Sequence, residues 1–429
     1  MRMTQVAILL TLAIAGIDPD ANAASIDRGK FSPADQPYMY YLSLSSQRSP
    51  QERDRLANVL RSLVPSYSSR TYLGEQLPVR ISENLMRIDT RGLGWETALP
   101  HVLANYYPWR PDLKRGQYPY TFRGDWFAAS IPDAIQTGDS QFRLIFENNP
   151  PKTTADWRKR WKTNEDPQFL FQFHEAESGV GVNPDRNVKQ FPTATRGGLY
   201  ATEDSEQTIG DKDPGNYGKN GKFDAGEEIA LGPKQYNGTN AVAMFFWLAN
   251  GKGERQFVAP SRIVTDHNNL RSTEIGLGDC RACHVEGLRP LNVNGFAGYV
   301  TRGARVAADK HTQRLIDQQY QAGMAQQIEA DNKLYAKFLE ICNGLTPAQD
   351  AKAYEAVVRA YDAPVTLEQA ARERHMSKQE LKDVLGYYSA RYSLSRRLAD
   401  LAQDGAISRA QWQNEQHNVY AAEVAWGKK

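Results

Sequence analysis

The sequence predicts an α+β domain over residues 24–270, followed by a mainly α-helical domain over residues 271–429. Short strand-like and helix-like segments alternate with long polar stretches before residue 270, whereas helix-start signals and helix-period apolar positions dominate after residue 300. A length of 429 residues is sufficient for two hydrophobic cores. Residues 1–23 are set apart because they have the layout of a targeting segment.

The first clear helix signal is Ser49-Pro50-Gln51-Glu52, a capping box with proline at the first helical position. The apolar residues that follow it share one helical face, which we expect to be buried: Leu56, Val59, Leu60 and Leu63.

Three apolar segments predict strands, namely Leu85 to Asp89, Phe142 to Phe146 and Asn240 to Leu248. The dipeptide Asn250-Gly251, directly after the third segment, is the strongest hairpin signal that we identify. The polar stretch from Gly179 to Asn220 is rich in glycine, asparagine and proline, and it predicts loops.

The C-terminal part is expected to be a bundle of about five or six helices. The helix starts that support this count are Thr346-Pro347, Thr366 to Gln369 and Ser377 to Glu380, the last two being capping boxes. The glycines that mark expected helix ends are Gly344, Gly386 and Gly405.

The most informative segment is Cys280-Arg281-Ala282-Cys283-His284, which has the Cys-x-x-Cys-His pattern of a c-type haem attachment site. Two thiols at this spacing can form thioethers with the two vinyl groups of one porphyrin, and the next residue can give the iron a proximal imidazole. A redox dithiol would need a βαβ context, and a zinc site would need a second ligand pair nearby. Neither is present around Cys280, so the C-terminal domain is expected to be c-type cytochrome-like, with one covalent haem c.

The N-terminus agrees with this chemistry, because covalent haem attachment takes place outside the bacterial cytoplasm. Arg2 is a short basic n-region, Val6 to Ala15 is too short to span a bilayer, and Ala21-Asn22-Ala23 offers small residues for cleavage. Residues 1–23 are therefore predicted to be a signal peptide, although Asp18-Pro19-Asp20 is an unusually acidic approach to the cleavage site. The mature chain is expected to begin at Ala24 and to be periplasmic, with no membrane span.

One cysteine is left over once the motif is assigned. Cys342 then has no thiol to pair with, so an intrachain disulfide is not expected. Its helical neighbours Leu334, Phe338, Ile341 and Leu345 share one face with it, which predicts that Cys342 is packed in a core.

The charge balance argues against nucleic acid as a partner. The chain has 52 basic and 50 acidic residues and a formal net charge of +2. This balance does not indicate binding to a polyanion or to an anionic membrane surface. Thr366 to Leu385 has the spacing of a helix-turn-helix, but in an exported haem protein we interpret it as two packed helices.

A calcium loop is a weaker possibility. Residues 216–227 fit the twelve-residue pattern at Asn220, Asp224 and Glu227, with Gly221 at the turn. Asn216 replaces the usual aspartate at position one, and Gly218 offers no side-chain oxygen at position three. A glycine and asparagine turn that leads into a strand at Glu228 is therefore the preferred interpretation.

The sixth ligand of the iron is expected downstream of the motif, as in small c-type cytochromes. Met324 is the first choice because it lies in a helical stretch about one helical hairpin beyond His284. His311, His375, Met376 and His417 are alternatives, and an open position is a further one. The carbonyl of Pro290 or of a neighbour is expected to accept a hydrogen bond from the His284 ring, and Arg289 to neutralise a haem propionate.

Several segments together resemble an uncharacterised family of exported mono-haem c-type cytochrome proteins with a large N-terminal domain. The matching segments are Arg123 to Ala128 (RGDWFA), Phe223 to Glu228 (FDAGEE), Ala249 to Arg255 (ANGKGER), Ala259-Pro260, Ile263 to Asp266 (IVTD), and Cys280 to Pro290 (CRACHVEGLRP). They occur in order within residues 120–290, and the tail to about residue 385 is loosely similar. The resemblance implies an exported c-type cytochrome and no particular substrate.

Three classes of function are compatible with the sequence. Electron transfer with a periplasmic redox partner protein is the default, because this chain has one haem motif whereas exported bacterial peroxidases have two. A haem-dependent, peroxidase-like oxidoreductase with an open iron site is the first alternative. A haem-containing ligand-binding or sensor module is the second, because about 250 residues precede the motif and carry no recognisable chemistry of their own. The oligomeric state and whether the protein is an enzyme are left open.

Overall fold

The protein is a mixed α and β structure, as the sequence predicts. The computed structural model describes residues 19–47, 49–109, 120–132, 140–146, 149–163, 169–174, 185–193, 198–204, 223–259, 280–281, 283–290 and 323–427. These residues form thirteen α-helices, two single-turn 3-10 helices and twelve strands.

The helices and strands are numbered here in chain order. The helices are α1 (Pro19–Arg28), α2 (Pro50–Ser66), α3 (Thr90–Leu93), α4 (Ala98–Tyr106), α5 (Gly124–Ser130), α6 (Ser140–Phe146), α7 (Thr154–Arg160), α8 (Gly323–Asn343), α9 (Pro347–Asp362), α10 (Leu367–Glu373), α11 (Lys378–Ser389), α12 (Arg396–Ala402) and α13 (Arg409–Gly427). The strands are β1 (Met39–Ser43), β2 (Val79–Ser82), β3 (Leu85–Asp89), β4 (Thr121–Arg123), β5 (Phe169–His174), β6 (Asp185–Pro192), β7 (Gly198–Glu203), β8 (Ala225–Tyr236), β9 (Thr239–Asn250), β10 (Arg255–Gln256), β11 (Val365–Thr366) and β12 (Ala406–Ile407).

The chain divides into two compact units that alternate along the sequence. The first unit comprises Met1–Leu60, Pro78–Ala129 and Ala353–Lys429, and the second comprises Arg61–Leu77 and Ser130–Lys352. The helices after residue 323 are therefore shared between the two units. The predicted domain boundary near residue 270 lies outside the described residues.

The first unit contains a four-stranded sheet in the order β2-β3-β1-β4. The central strand β1 pairs antiparallel with β3, where Tyr41 faces Arg87, and parallel with β4, where Tyr41 faces Thr121. All five residues of β1 are buried, which explains its nearly continuous apolar sequence. The predicted capping box starts α2: Ser49 and Glu52 exchange hydrogen bonds, and Leu56, Val59, Leu60 and Leu63 are buried as expected.

A buried cluster of charges ties β4 and α5 to the C-terminal helices of the same unit. Glu373 accepts hydrogen bonds from Arg409 Nη1 at 2.8 and 2.9 Å and from Trp412 Nε1 at 2.6 Å. Arg123 forms an ion pair with Glu373 and donates from Nε to Asp125 at 2.9 Å. Burial alone would raise the pKa of Glu373, but the charges of Arg123 and Arg409 outweigh it and hold the pKa at about 2.

The second unit is built on a six-stranded antiparallel sheet in the order β10-β9-β8-β7-β6-β5. Its longest pair, β8 and β9, is closed by Asn237 and Gly238, whose φ angles are 47° and 81°. Two consecutive left-handed residues of this type form the two-residue turn that best matches the strand twist. The predicted hairpin at Asn250 also forms, because Asn250 Oδ1 accepts from the backbone of Lys252 and Glu254.

The two faces of this sheet carry different layers. On one face Trp247 stacks on Trp157 of α7, with ring centroids 5.3 Å apart, and meets Phe142 of α6 at 5.5 Å. On the other face α8 packs against β9, and the Tyr200 hydroxyl donates to Asp331 of α8 at 2.6 Å. The motif that begins at Cys280 lies on this second face, beside Phe246.

Three of the sequence-based expectations are wrong. Phe142 to Phe146 forms helix α6 rather than a strand. Phe142 and Phe146 lie one helical turn apart and pack against Trp247 and Trp157, which we call the tryptophan layer. The predicted loops from Gly179 to Asn220 contain β6 and β7, where the buried polar pair Lys189 and Glu203 hides the strand pattern.

The third error is Gly386, which lies inside α11 instead of ending it. Among the predicted helix ends, Gly344 is left-handed with φ of 73°, and at the end of α12 the left-handed residue is Asp404, just before Gly405. At the start of α10 the Thr366 side chain accepts from the Gln369 N–H. At the start of α11 both hydrogen bonds of the capping box between Ser377 and Glu380 are present. Six helices occupy residues 323–427, as the helix caps predict.

Within the described part of the chain, none of the helices combines the length and the apolar character needed to cross a bilayer. Thr366 to Leu385 forms the packed pair α10 and α11, as interpreted from the sequence.

Replacing Glu373 with glutamine should destabilise the first unit by about 3–5 kcal/mol, because the change leaves the buried Arg409 without its charged partner. Urea denaturation at pH 7 measures this loss. In the native protein the contribution of Glu373 is complete above the ordinary glutamate pKa of 4.5 and is lost as the pH falls through about 2. The variant should lack this part of the acid dependence.

The matched control is Glu355→Gln on α9, which breaks an exposed i,i+4 pair with Arg359. We expect this control to cost less than about 0.5 kcal/mol. Equal destabilisation by the two variants would contradict a structural role for the buried cluster.

Candidate haem-attachment site

The Cys-x-x-Cys-His segment forms a single helical turn. The backbone N–H of His284 donates to the carbonyl of Cys280 at 3.0 Å, which is the i to i+4 bond of an α-helix. Cys280, Cys283 and His284 therefore lie on one side of the turn, at i, i+3 and i+4. Cys280 is buried, Cys283 is half-buried, and the His284 side chain keeps 15% of its surface exposed.

The ring of His284 is held in one orientation by the loop that follows it. Its Nδ1 lies 3.2 Å from the carbonyl oxygen of Gly287, and since a carbonyl can only accept, Nδ1 is the donor. In a neutral imidazole this leaves Nε2 unprotonated and able to bind a metal. The sequence predicts the carbonyl of Pro290 or of a neighbour as the acceptor, whereas the structure has Gly287, three residues before Pro290.

The loop is fixed to α8 by Asn332. The side-chain amide of Asn332 accepts from Leu288 N–H and donates to the Leu288 carbonyl, both at 2.7 Å. Gly287 has φ of 120°, and a Cβ added there would lie 2.5 Å from Asn332 Oδ1. Glycine is thus required both by the backbone conformation and by the close approach of α8.

Glu227 faces the free nitrogen of His284. Its Oε2 lies 3.9 Å from His284 Nε2, and its Oε1 is buried with no hydrogen-bond partner among the described residues. The Glu227 backbone is fixed to β7, because its N–H donates to Thr202 Oγ1 at 3.1 Å.

This placement changes the interpretation of the possible calcium loop. Glu227 belongs to strand β8, whereas position twelve of a helix-loop-helix calcium site begins a helix. Asp224 directly precedes the same strand, and Asn216 and Asn220 lie outside the described residues. No structural observation on Asp224 or Glu227 supports a calcium ion, so calcium stays a prediction.

An aromatic wall lies beside the imidazole. The ring centroid of Phe246 on β9 is 5.9 Å from that of His284, with the planes inclined by 37°. Phe246 pairs with Ile229 of β8, and Ile229 pairs with Tyr200 of β7, so all three share the face that carries the motif. Met244 lies on the same face two residues before Phe246.

Arg281, between the two cysteines, points into the unit rather than into solvent. Its guanidinium lies 5.9 Å from the ring centroid of Tyr67. Burial raises the pKa of Asp350, and the nearby charge of Arg281 and hydrogen bonds from Ser62 and Asn343 oppose this rise. Arg281 therefore anchors the motif turn to its own unit. Arg289 is exposed, and its role as a propionate partner stays a prediction.

The candidate sixth ligands fall in different places. Met324 is buried in the first turn of α8, on the stripe that continues with Ile328, Asp331 and Tyr335. It lies eight residues before Asn332, about 12 Å along the helix axis. His375, Met376 and His417 belong to the first unit, whereas His284 belongs to the second. His311 lies outside the described residues.

Cys342 is fully buried in α8, which confirms the predicted core packing. Burial raises the pKa of its thiol above the ordinary range, so it is not a reactive thiolate. Lys234 lies near it, which sequence reasoning did not predict. The Lys234 Nζ donates to the carbonyls of Ser68 and Arg70 at 2.6 and 2.8 Å. Burial lowers the pKa of Lys234 to about 7.

A bare metal ion and a haem place different requirements on the donor set. Among the described residues, no three side chains of the types His, Cys, Asp and Glu converge on one point. A haem needs no such cluster, because the porphyrin supplies four nitrogens and the protein supplies one or two axial ligands. The thiol spacing and the fixed imidazole tautomer both fit that requirement.

Comparisons with known proteins found no matching family model, no matching curated protein and no matching solved structure. A function for the chain therefore rests on the chemistry of its own residues, above all Cys280, Cys283 and His284.

Sequence reasoning missed Gly287 and Asn332, and it assigned Glu227 to a possible calcium loop rather than to this site. Gly287 and Asn332 each left a signal: a glycine after the motif indicates a turn, and an asparagine within an otherwise good helix indicates a side chain with another partner. Nothing in the sequence places Glu227 beside His284, because it comes from a strand more than fifty residues before the motif.

Replacing Asn332 with alanine should free the loop after His284, because the N–H and the carbonyl of Leu288 would both lose their partner. We expect a loss of about 1–3 kcal/mol and faster hydrogen exchange at the Leu288 amide. Asn105→Ala is the control, since Asn105 is exposed and bonds to His101 within its own helix. If the hydrogen-exchange rate of the Leu288 amide were unchanged in the Asn332 variant, Asn332 would not be what fixes this loop.

Proposed function

We propose that this protein is an exported mono-haem c-type cytochrome, which transfers electrons through one haem attached at Cys280 and Cys283 and ligated by His284. The observation that carries the proposal is the helical turn with two thiols and an imidazole, whose Nδ1 lies 3.2 Å from the carbonyl oxygen of Gly287. In this proposal residues 271–429 act as the c-type cytochrome-like part of the chain. The expected partner is a periplasmic redox protein.

Each residue of the site has a distinct task. The thiols of Cys280 and Cys283 hold the porphyrin covalently, and the haem supplies one-electron chemistry when bound. The carbonyl of Gly287 accepts a hydrogen bond from Nδ1–H and so makes the imidazole a stronger donor at Nε2. Asn332 keeps that carbonyl in position through Leu288. Met324 as the sixth ligand stays a prediction from the sequence.

A second function is favoured by one observation. Glu227 places a partly desolvated carboxylate 3.9 Å from His284 Nε2, and a carboxylate beside a reacting centre can accept or give a proton. A haem-dependent, peroxidase-like oxidoreductase with an exchangeable iron position would use such a group. A ligand-binding or sensor role would use the same exchangeable position.

Intact-mass measurement on periplasmic protein should show an increase of one haem per chain, and the colour should survive acid-acetone extraction, because thioethers are not broken by it. Cys283→Ala should give an unstable or colourless product. Cys342→Ala is the matched control and should keep its haem, since Cys342 lies in the core. Haem that is fully extractable from the native protein would contradict covalent attachment.

The same mass tests export, because α1 runs through the predicted cleavage site. Asp20 on α1 accepts hydrogen bonds from Ser43 and Ser45, and Asp27 accepts from Arg87 at 2.8 Å. Cleavage after Ala23 would remove the contacts of Asp20 and keep those of Asp27. A mature chain that still contains residues 19–23 would contradict the predicted signal peptide.

His284→Ala should abolish the visible spectrum of an imidazole-ligated haem even where both thioethers form. Added imidazole should restore much of that spectrum, because a free imidazole molecule can bind the iron in place of the missing side chain. Titration of the variant with imidazole, followed by absorbance, measures this rescue. A spectrum that the substitution leaves unchanged would show that another residue ligates the iron.

A further inference from the structure

We infer that Glu227 faces the haem iron opposite His284 and supplies its sixth ligand, in the place that the sequence gives to Met324. The inference rests on the proposed haem at Cys280 and Cys283. A glutamate ligand would be hard, anionic and exchangeable. The identity of this ligand therefore helps to decide whether the protein only transfers electrons.

The first reason is the spacing of the two donor atoms. Nitrogen and oxygen ligands lie about 2.0–2.2 Å from a divalent first-row metal such as zinc. With similar lengths at iron, two ligands on opposite sides are about 4 Å apart. His284 Nε2 and Glu227 Oε2 are separated by 3.9 Å. The free nitrogen and the carboxylate thus already have the separation of two axial ligands.

The second reason is the state of the carboxylate. The Glu227 side chain is 19% exposed, and its Oε1 is buried with no hydrogen-bond partner among the described residues. A desolvated carboxylate oxygen without a partner costs free energy, and native proteins provide a donor or a cation in nearly every case. An iron centre bound through Oε2 would neutralise the charge of this carboxylate, whose other oxygen has no donor among the described residues.

The third reason is rigidity. Glu227 lies in the long hairpin strand β8, paired with Leu248 of β9, and its backbone N–H is bonded to Thr202 of β7. The ring of His284 is bonded to Gly287, and the loop that carries Gly287 is bonded to Asn332. The backbones that carry both donors are therefore fixed by protein contacts, as a preorganised site requires.

The chemistry of the ligand sets the consequence. A carboxylate is a hard, anionic donor, whereas a methionine thioether is soft and neutral. Glu227 should therefore favour the oxidised iron and lower the reduction potential. It should also be displaced more easily in the reduced protein, which would give small neutral molecules access to the site.

The experiment compares four forms of the holoprotein: native, Glu227→Gln, Met324→Leu and Glu254→Gln. Glu254→Gln is the matched control, because Glu254 is an exposed glutamate in the neighbouring hairpin. In Glu227→Gln the ratio of reduced to oxidised haem at a fixed potential should rise at least tenfold, which is about 59 mV for one electron. The other two variants should stay close to the native potential.

A carboxylate near the haem could shift the reduction potential without binding the iron. Ligation by Glu227 is therefore tested with a separate measurement. Glu227→Ala should change the electron paramagnetic resonance spectrum of the oxidised protein, and added acetate should restore it in a saturable way. Circular dichroism verifies that the variant is folded. The inference would be overturned if Glu227→Ala left the spectrum unchanged, or if acetate did not restore the spectrum that the substitution had changed.

The outcomes separate this inference from the proposed function. If Met324→Leu alters the spectrum and Glu227→Gln does not, methionine is the ligand and the inference fails while the cytochrome stands. If the native protein carries no covalent haem, the proposed function itself fails.

Discussion

The register between β8 and β9 is the constraint on which the second unit depends. Successive side chains of a strand point to opposite faces, so the pairing of Ile229 with Phe246 and of Glu228 with Trp247 divides the sheet into two chemical environments. One face receives the tryptophan layer, and the other receives the motif and α8. A slip by one residue would exchange the faces and turn Glu227 away from His284. The turn at Asn237 and Gly238 fixes the register, because both residues adopt the left-handed conformation that a two-residue hairpin requires.

Buried charges add specificity to both units, each in its own interior. In the second unit Lys189 pairs with Glu203, and Arg158 of α7 donates to Glu228 at 3.0 Å. Burial lowers the pKa of Lys189 and raises that of Glu228, against the opposing charges of their partners. Desolvation makes such pairs a poor source of net stability, but each charge can be buried only where its partner lies. Polar residues on β6, β7 and β8 can thus select one strand arrangement among the apolar alternatives.

Sequence reasoning succeeds here where the interaction is local. The box at Ser49 and Glu52 and the caps of the C-terminal helices depend on neighbours within a few residues. The predicted strand from Leu85 to Asp89 forms a hairpin with the adjacent β2. It fails at Phe142 to Phe146, where the tertiary partners Trp247 and Trp157 decide between helix and strand. It also fails at β6 and β7, since their buried polar residues find partners only in the folded sheet.

The site shows the same division between local and distant information. Cys280, Cys283 and His284 form one turn, so the pattern alone predicts that they act together. Their surroundings come from two distant segments, β8 through Glu227 and α8 through Asn332. The His284 tautomer depends on the Gly287 carbonyl, and Gly287 in turn packs against Asn332, so α8 controls the orientation and basicity of the imidazole. A displacement of α8 would therefore shift Nε2 of His284. In the cytochrome that we propose, residues outside the motif would thus contribute to its redox chemistry, which a local pattern cannot reveal.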